Sequence, residues 1–223
     1  MNPENARLLP QRSRVPLARE GYPLIGVAAG VTAALWLVGW TIPAAIGVVL
    51  TLFVVSFFRD PERLVPAAPG LILAPADGRV IKVAEVQDER FLHGPATLIS
   101  IFMSPLNVHV NRAPTSGRVV ETRYHHGKYF RAFADKASLD NEQNAVLLED
   151  EQGRRLCFVQ IAGFLARRIV CYLQSGMAVE RGQRYGMIMF GSRADVYLPS
   201  RVTVRVQPGD RARGGETVLA EWI

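Results

Sequence analysis

Two textures divide the chain. From Gly21 to Phe58 no charged residue interrupts an almost wholly apolar run, whereas from Leu64 onward short apolar segments alternate with Gly, Pro and charge. One straight helix over the first stretch would be roughly 57 Å long, against a bilayer hydrocarbon core of about 30 Å. Gly39-Trp40-Thr41-Ile42-Pro43 interrupts it midway. The pattern therefore predicts a helical hairpin, Pro23–Val38 and Pro43–Phe58, with Trp36 and Trp40 near one interface. Each half is short for a full crossing, so the hairpin either spans or dips into the bilayer as a re-entrant loop. Its length and its second helix separate it from a cleaved signal peptide. Asp60-Pro61 ends the second helix, because a proline cannot continue it.

Beyond that point the apolar runs are strand-sized. Val80–Val83, Thr97–Phe102, Ala145–Leu148, Leu156–Ile161, Arg168–Tyr172 and Val202–Val206 are each bounded by turn residues. Their spacing predicts a mainly β domain, a sandwich or barrel. Two faint internal repeats agree. Pro75-Ala76-Asp77-Gly78-Arg79-Val80-Ile81 recurs as Pro114-Thr115-Ser116-Gly117-Arg118-Val119-Val120, and Val179–Arg184 recurs as Val206–Arg211. The periods differ, which indicates quasi-symmetry within one barrel-sandwich-like domain rather than a solenoid. The expected organisation is a basic arm over 1–20, a membrane-associated hairpin over 21–58 and a β-rich catalytic domain over 59–223.

Charge adds a direction. Lys and Arg outnumber Asp and Glu by 26 to 20, and only Lys82, Lys128 and Lys136 are lysines. Such a balance suits nucleic acid or an anionic membrane surface, and the apolar hairpin selects the membrane. Arg19 precedes the hairpin, Arg59 and Arg63 follow it, and the central turn has no basic residue. The positive-inside rule then puts both ends, and with them the β domain, on the cytoplasmic face of the inner membrane. Cys157 and Cys171 sit in apolar runs and read as buried thiols in a reducing compartment. Apart from the adjacent His125-His126, no Cys or His pair has ligand spacing, so no metal is expected.

The candidate chemistry starts at Phe190-Gly191-Ser192-Arg193. Gly191 permits a tight turn and leaves its carbonyl open to approach, with the Ser192 hydroxyl beside it. Attack would convert the amide to an ester, and β-elimination would then break the chain and leave a pyruvoyl group at position 192. An ordinary β-turn accounts for a lone Gly-Ser pair equally well. Self-cleavage also needs a base, and donors for the developing oxyanion. Among the four histidines, His93 lies in a Leu-His-Gly turn. His125 and His126 are neighbours, so on a strand only one of them can face a site. His109 lies in the proline-bracketed stretch Met103–Pro114, where alternation puts Asn107, His109 and Asn111 on one face and Val108, Val110 and Arg112 on the other. That polar face either meets water or lines a site. Asp77, before Gly78, reads as a turn residue bonding its own backbone. The second copy of the repeat has Ser116 there, so the turn itself does not require a carboxylate.

Taken whole, Gly182–Pro199 closely resembles the processing site of the short, bacterial and archaeal type of phosphatidylserine decarboxylase. Phe57–Arg63, Ala74–Val80 and Gln160–Val170 are similar to further stretches of that family, in its order, and the resemblance runs from about Arg19 to the end. It implies a carboxy-lyase of phospholipid biosynthesis that converts phosphatidylserine to phosphatidylethanolamine. Cleavage between Gly191 and Ser192 would give a β chain (1–191) and an α chain (192–223) that stay together as a heterodimer. The cofactor would be the pyruvoyl group derived from Ser192, which forms a Schiff base with the substrate amine. His109 matches the family's catalytic histidine region and would return a proton to the decarboxylated carbon. Asp77 matches an aspartate that orients the histidine–serine pair. Arg112 and Arg193 are the candidates to hold the lipid phosphate. Arg112 stands where relatives of the longer type have a second histidine, and Gln143 where the motif beginning at Leu139 usually ends in arginine. The oligomeric state stays open.

Two other classes compete. Asp135-Lys136-Ala137 is the tripeptide around the modified lysine of lipoyl carriers, but here it lacks the expected neighbours. A nucleic-acid module would need a binding motif beside the charge, and none accompanies it.

Overall fold

The computed structural model describes residues 16–127, 141–163, 168–189 and 192–223. Phe190, Gly191 and Lys136 lie outside these residues, as does most of the 1–20 arm. The chain divides into two compact units, one running through Glu62 and the other from Arg63 to Ile223.

The first unit is the helical hairpin. Helix α1 spans Tyr22–Leu37 and α2 spans Thr41–Phe57, within two residues of the predicted bounds. Gly39, at φ +81°, makes the break in a conformation that L side chains rarely adopt. Pro43 falls in the first turn of α2, where its missing N–H costs nothing. Small residues let the helices meet. A Cβ at Gly47 would stand 2.7 Å from Thr32 Oγ1, and the Thr32 and Thr51 hydroxyls lie 3.1 Å apart. Each hydroxyl also touches a carbonyl of its own helix, Ala28 and Gly47 respectively. Most of the remaining surface is exposed and apolar, including Val31, Trp36, Ile42, Val49 and Leu52. The segment Arg19–Leu37 is long and apolar enough to cross a membrane; Thr41–Phe57 is shorter.

The second unit is built from strands. In chain order they are β1 Leu71–Leu73, β2 Gly78–Asp88, β3 Gly94–Met103, β4 Val110–Arg112 and β5 Gly117–His125. They continue as β6 Gln143–Glu149, β7 Arg155–Ile161, β8 Ile169–Cys171, β9 Ala178–Val179 and β10 Arg184–Ile188. The last are β11 Ser192–Pro199, β12 Val202–Val204, β13 Arg211–Ala212 and β14 Val218–Trp222. An eight-stranded sheet runs β13-β2-β3-β11-β7-β6-β5-β9, and two three-stranded sheets run β1-β14-β12 and β4-β10-β8. The mainly β architecture behind two helices is the one expected.

The first internal repeat is structural; the second is not in the register predicted, because the sheet matches Ala178–Val179 of β9 with Arg211–Ala212 of β13. The eight-stranded order reads alike from both ends, with its pseudo-dyad between β11 and β7. Gly78 opens β2 and Gly117 opens β5, and a Cβ at either would strike a carbonyl oxygen, that of Phe102 or Glu149. Each strand then slips register at the equivalent place, Val80/Lys82 and Val119/Glu121. Such bulges raise the local twist and curl the sheet around its core. That core holds Val80, Ile101, Val146, Leu156, Phe158 and Val196. A second cluster on the opposite face of the sheet holds Leu98, Cys157, Val159 and Tyr197.

Candidate active site

Position 192 opens the central strand. β11 pairs with β3 on one side and β7 on the other, with Ser192 opposite Met103. Alternation along β11 sends Ala194, Val196 and Leu198 into the curl and Tyr197 to the opposite face. Ser192 is fully buried on the inner side. Its hydroxyl donates to the Met103 sulfur at 3.3 Å, and among the described residues it has no other hydrogen-bond partner.

The stretch that carries His109 is shorter as a strand than the alternation suggested. Residues 104–107 form a turn closed by Asn107, whose Oδ1 accepts from the Ser104 N–H and hydroxyl. Asn107 therefore shares no strand face with His109; β4 begins at Val110. His109 and Asn111 are both fully buried. The His109 Nδ1 lies 2.8 Å from the Ile188 carbonyl oxygen and Nε2 lies 3.1 Å from that of Ser104. A neutral imidazole has one N–H, so only the doubly protonated ring donates to both carbonyls.

Beside His109 lies a group of neutral amides that sequence reasoning did not gather. Gln160 Nε2 donates to Asn111 Oδ1 at 2.9 Å and to the Val170 carbonyl at 3.1 Å, and its Oε1 faces Asn144 Nδ2 at 3.4 Å. Gln160 and Asn144 were read only as parts of longer motifs. A polar residue inside an apolar strand is the one signal that could have found them.

Asp77 sits in the turn before β2. Its Oδ1 accepts from the Gly214 N–H at 2.8 Å, and both oxygens accept from Arg63 Nη2, at 3.0 and 2.8 Å. These are all its partners, so among the described residues it bonds no histidine. It is tied to the site through Ala76, which packs with Met103, Ala162, Ile188 and Ala194.

Comparison with known proteins gives the family. The phosphatidylserine decarboxylase family model matches residues 50–220. The phosphatidylserine decarboxylase proenzyme of Syntrophotalea carbinolica is 50% identical over 204 residues, covering 92% of this chain and 95% of the relative. The proenzyme of Geotalea uraniireducens is 47% identical over 209 residues, covering 94% and 98%. That of Trichlorobacter lovleyi is 47% identical over 226 residues, covering 98% of each. The chain belongs to the phosphatidylserine decarboxylase family. It is thus an enzyme of the decarboxylase class, as expected.

Within this decarboxylase fold the two arginines offered as phosphate ligands are already engaged. Arg193 is 2% exposed and forks onto the fully buried Asp195, Nε to Oδ1 at 2.6 Å and Nη2 to Oδ2 at 2.7 Å. Arg112 is 8% exposed and donates to the Gly182 carbonyl at 3.1 Å. Burial pushes the Cys157 and Cys171 thiols up, most strongly Cys157, which leaves them poor nucleophiles. Among the described residues no group of three His, Cys, Asp or Glu could hold a metal ion.

Proposed function

We propose that the chain is a proenzyme that decarboxylates phosphatidylserine after cutting itself at Gly191–Ser192. The observation that carries this reading is the position of Ser192, a buried hydroxyl opening a strand held on both sides. The segment after the cut supplies β11 to β14, of which β11 pairs with β3 and β7, β13 with β2 and β14 with β1. The α chain would thus remain an integral part of the β chain's sheets and form the heterodimer with it.

The residues present fit a pyruvoyl group at 192. Ser192 faces the Met103 thioether, which packs with Ala76, Ala162, Ile188 and Ala194 and has the neutral Asn111 amide beside it. When formed, that carbonyl supplies the sink for the electron pair released as carbon dioxide leaves. His109 serves as the acid. Held between two carbonyls, it donates to both only with a proton on each nitrogen, the form suited to returning a proton to carbon. To act as a base toward Ser192 it would first have to surrender the bond to Ile188 or Ser104. Asp77, aimed by Arg63 and the Gly214 N–H, has the orienting role in cleavage. The burial and existing bonds of Arg112 and Arg193 lend no support to phosphate binding by either. The hairpin anchors the enzyme in the inner membrane, with Arg19, Arg59 and Arg63 on the cytoplasmic side where the lipid substrate lies.

Intact-mass spectrometry of the full chain tests this. Two chains dividing at Gly191–Ser192, the smaller trapped by a carbonyl-reactive amine, is the expected result. Ser192→Ala should stay in one piece and inactive. A Ser192→Ala protein that still divides there would overturn the scheme.

A further inference from the structure

The hydrogen-bonding of the buried amides fixes which way Asn111 points. The Val170 carbonyl only accepts, so the Gln160 group facing it at 3.1 Å is the NH2. That same NH2 faces Asn111 at 2.9 Å, so the Asn111 atom there is the oxygen. The Asn111 NH2 is thereby turned the other way, toward Met103, the residue whose sulfur also meets Ser192.

On that side it has little to bond. Nδ2 lies 3.5 Å from the Pro75 carbonyl and 4.0 Å from Met103 Sδ, both at the outer limit of a hydrogen bond. Asn111 is fully buried, and among the described residues these contacts complete its set. The same sulfur takes the Ser192 hydroxyl at 3.3 Å. Two buried donors thus converge on one thioether, which is a weak acceptor on a flexible side chain. Both lack a good oxygen acceptor, and processing at residue 192 creates one.

We propose that Asn111 is a catalytic residue of self-cleavage, its Nδ2–H donating to Ser192 Oγ as that oxygen leaves Cβ. This rests on the cleavage proposed above. At the ester stage Oγ carries the acyl group of residue 191. A base removes the proton from Ser192 Cα, and the electron pair of that C–H bond becomes the Cα=Cβ bond. The Cβ–Oγ bond breaks, and its pair stays on Oγ, now a carboxylate oxygen. Nδ2–H stabilises the charge growing on Oγ, which is fully buried with it. Hydrolysis then replaces the nitrogen at Cα with oxygen and releases ammonia. Gln160 is a positioning residue: it holds Asn111 Oδ1, so that the donor rather than the acceptor end meets Oγ.

The test follows newly synthesised full-length chain, inserted in lipid nanodiscs, by intact mass with and without hydroxylamine. Wild type should give an α chain beginning in pyruvoyl. Asn111→Leu should slow that product by about 100-fold and let the ester accumulate. Hydroxylamine then releases residues 192–223 beginning with serine, heavier than the pyruvoyl form by one ammonia. A purely structural role would not produce that species. Gln160→Met should slow maturation about tenfold with the same trapped product, and add nothing in the Asn111→Leu background. Wild-type maturation by a folded Asn111→Leu chain, or slowing without trappable ester, would overturn the assignment. If Asn111→Leu does not fold, Gln160→Met alone decides by the same criterion. A wild-type chain that never divides would refute the proposed function instead.

Discussion

The Arg193–Asp195 pair begins one residue beyond Ser192, and breaking it should cost far more than breaking a surface ion pair. Arg193 is 2% exposed and Asp195 is fully buried, with two charge-assisted bonds of 2.6 and 2.7 Å between them. Asp195→Asn keeps the shape but leaves a guanidinium buried without its counter-charge. Removing one member of a buried pair typically costs about 3–5 kcal/mol. For a unit of this size each kcal/mol moves the midpoint by about 2–4 °C, so melting should fall by roughly 10 °C. The clean assay is thermal unfolding in the Ser192→Ala background, where the chain stays whole. Replacing both partners, Arg193→Met with Asp195→Leu, removes the ionic demand altogether and should be close to neutral. That double variant, allowed to mature, also separates the two roles for Arg193. With a structural pair, KM for phosphatidylserine stays put; with a phosphate ligand, KM rises at unchanged stability. An Asp195→Asn midpoint within a degree of its parent would refute the reasoning.

Three further outcomes are expected. Arg63→Gln takes away both bonds from Arg63 Nη2 to Asp77, where the side chains are only 8% and 15% exposed. It should cost about 2 kcal/mol in urea unfolding and slow cleavage in an intact-mass time course, with Arg63→Lys recovering part of each. Gly186→Ala would place a Cβ 2.0 Å from the Val170 carbonyl oxygen. That splits β10 from β8 and displaces the Ile188 carbonyl from His109, so soluble yield and decarboxylation, measured as released carbon dioxide, should drop together. Tyr197 is pushed up to about 12, by burial first and by Asp195 second. Between about pH 10 and 12 the unfolded chain loses this proton while the fold retains it, so stability falls with rising pH there. Spectrophotometric titration should show two tyrosines ionising late, Tyr197 and Tyr185, whose burial also pushes it well up, and Tyr197→Phe should remove one of them and reduce the alkaline loss of stability.

The hairpin was legible because uninterrupted apolarity and a central Gly leave few alternatives. The β texture was legible from strand-sized runs, and the first repeat from its glycines, Gly78 and Gly117. β11 was not. Ser192-Arg193-Ala194-Asp195 looks like a turn because two charges and a serine seldom enter a core. Yet Arg193 and Asp195 fall on one face and neutralise each other, while Ser192 and Ala194 fall on the other. The pattern alternates; only the chemistry of one face is unusual. His109 was found through its prolines, but its strand was drawn too long, since Asn107 bends back to close the Ser104 turn. The amides of Gln160 and Asn144 were missed because each sits in an apolar strand, where a single polar side chain carries no period of its own.

The quasi-symmetry offers a control for function within the chain. Gly78 and Gly117 open equivalent strands, meet equivalent carbonyls and precede equivalent bulges, so the two turns place the same demands on the backbone. In one copy the Ser116 hydroxyl accepts the Arg181 N–H at 2.9 Å; in the other Asp77 Oδ1 accepts the Gly214 N–H at 2.8 Å. One oxygen satisfies the turn in both. The second oxygen of Asp77, its charge and the hold of Arg63 on both oxygens have no counterpart in the Ser116 turn, and the turn itself does not require them. This carboxylate, held beyond the needs of its turn, follows Ala76, which packs with Met103 and Ala194, and the cleavage proposed above would use it. Asp77→Ser, which imports the second copy's solution, should therefore preserve the fold by circular dichroism and stop the cut. An Asp77→Ser chain that folds and still divides at the usual rate would return Asp77 to the role of a turn residue.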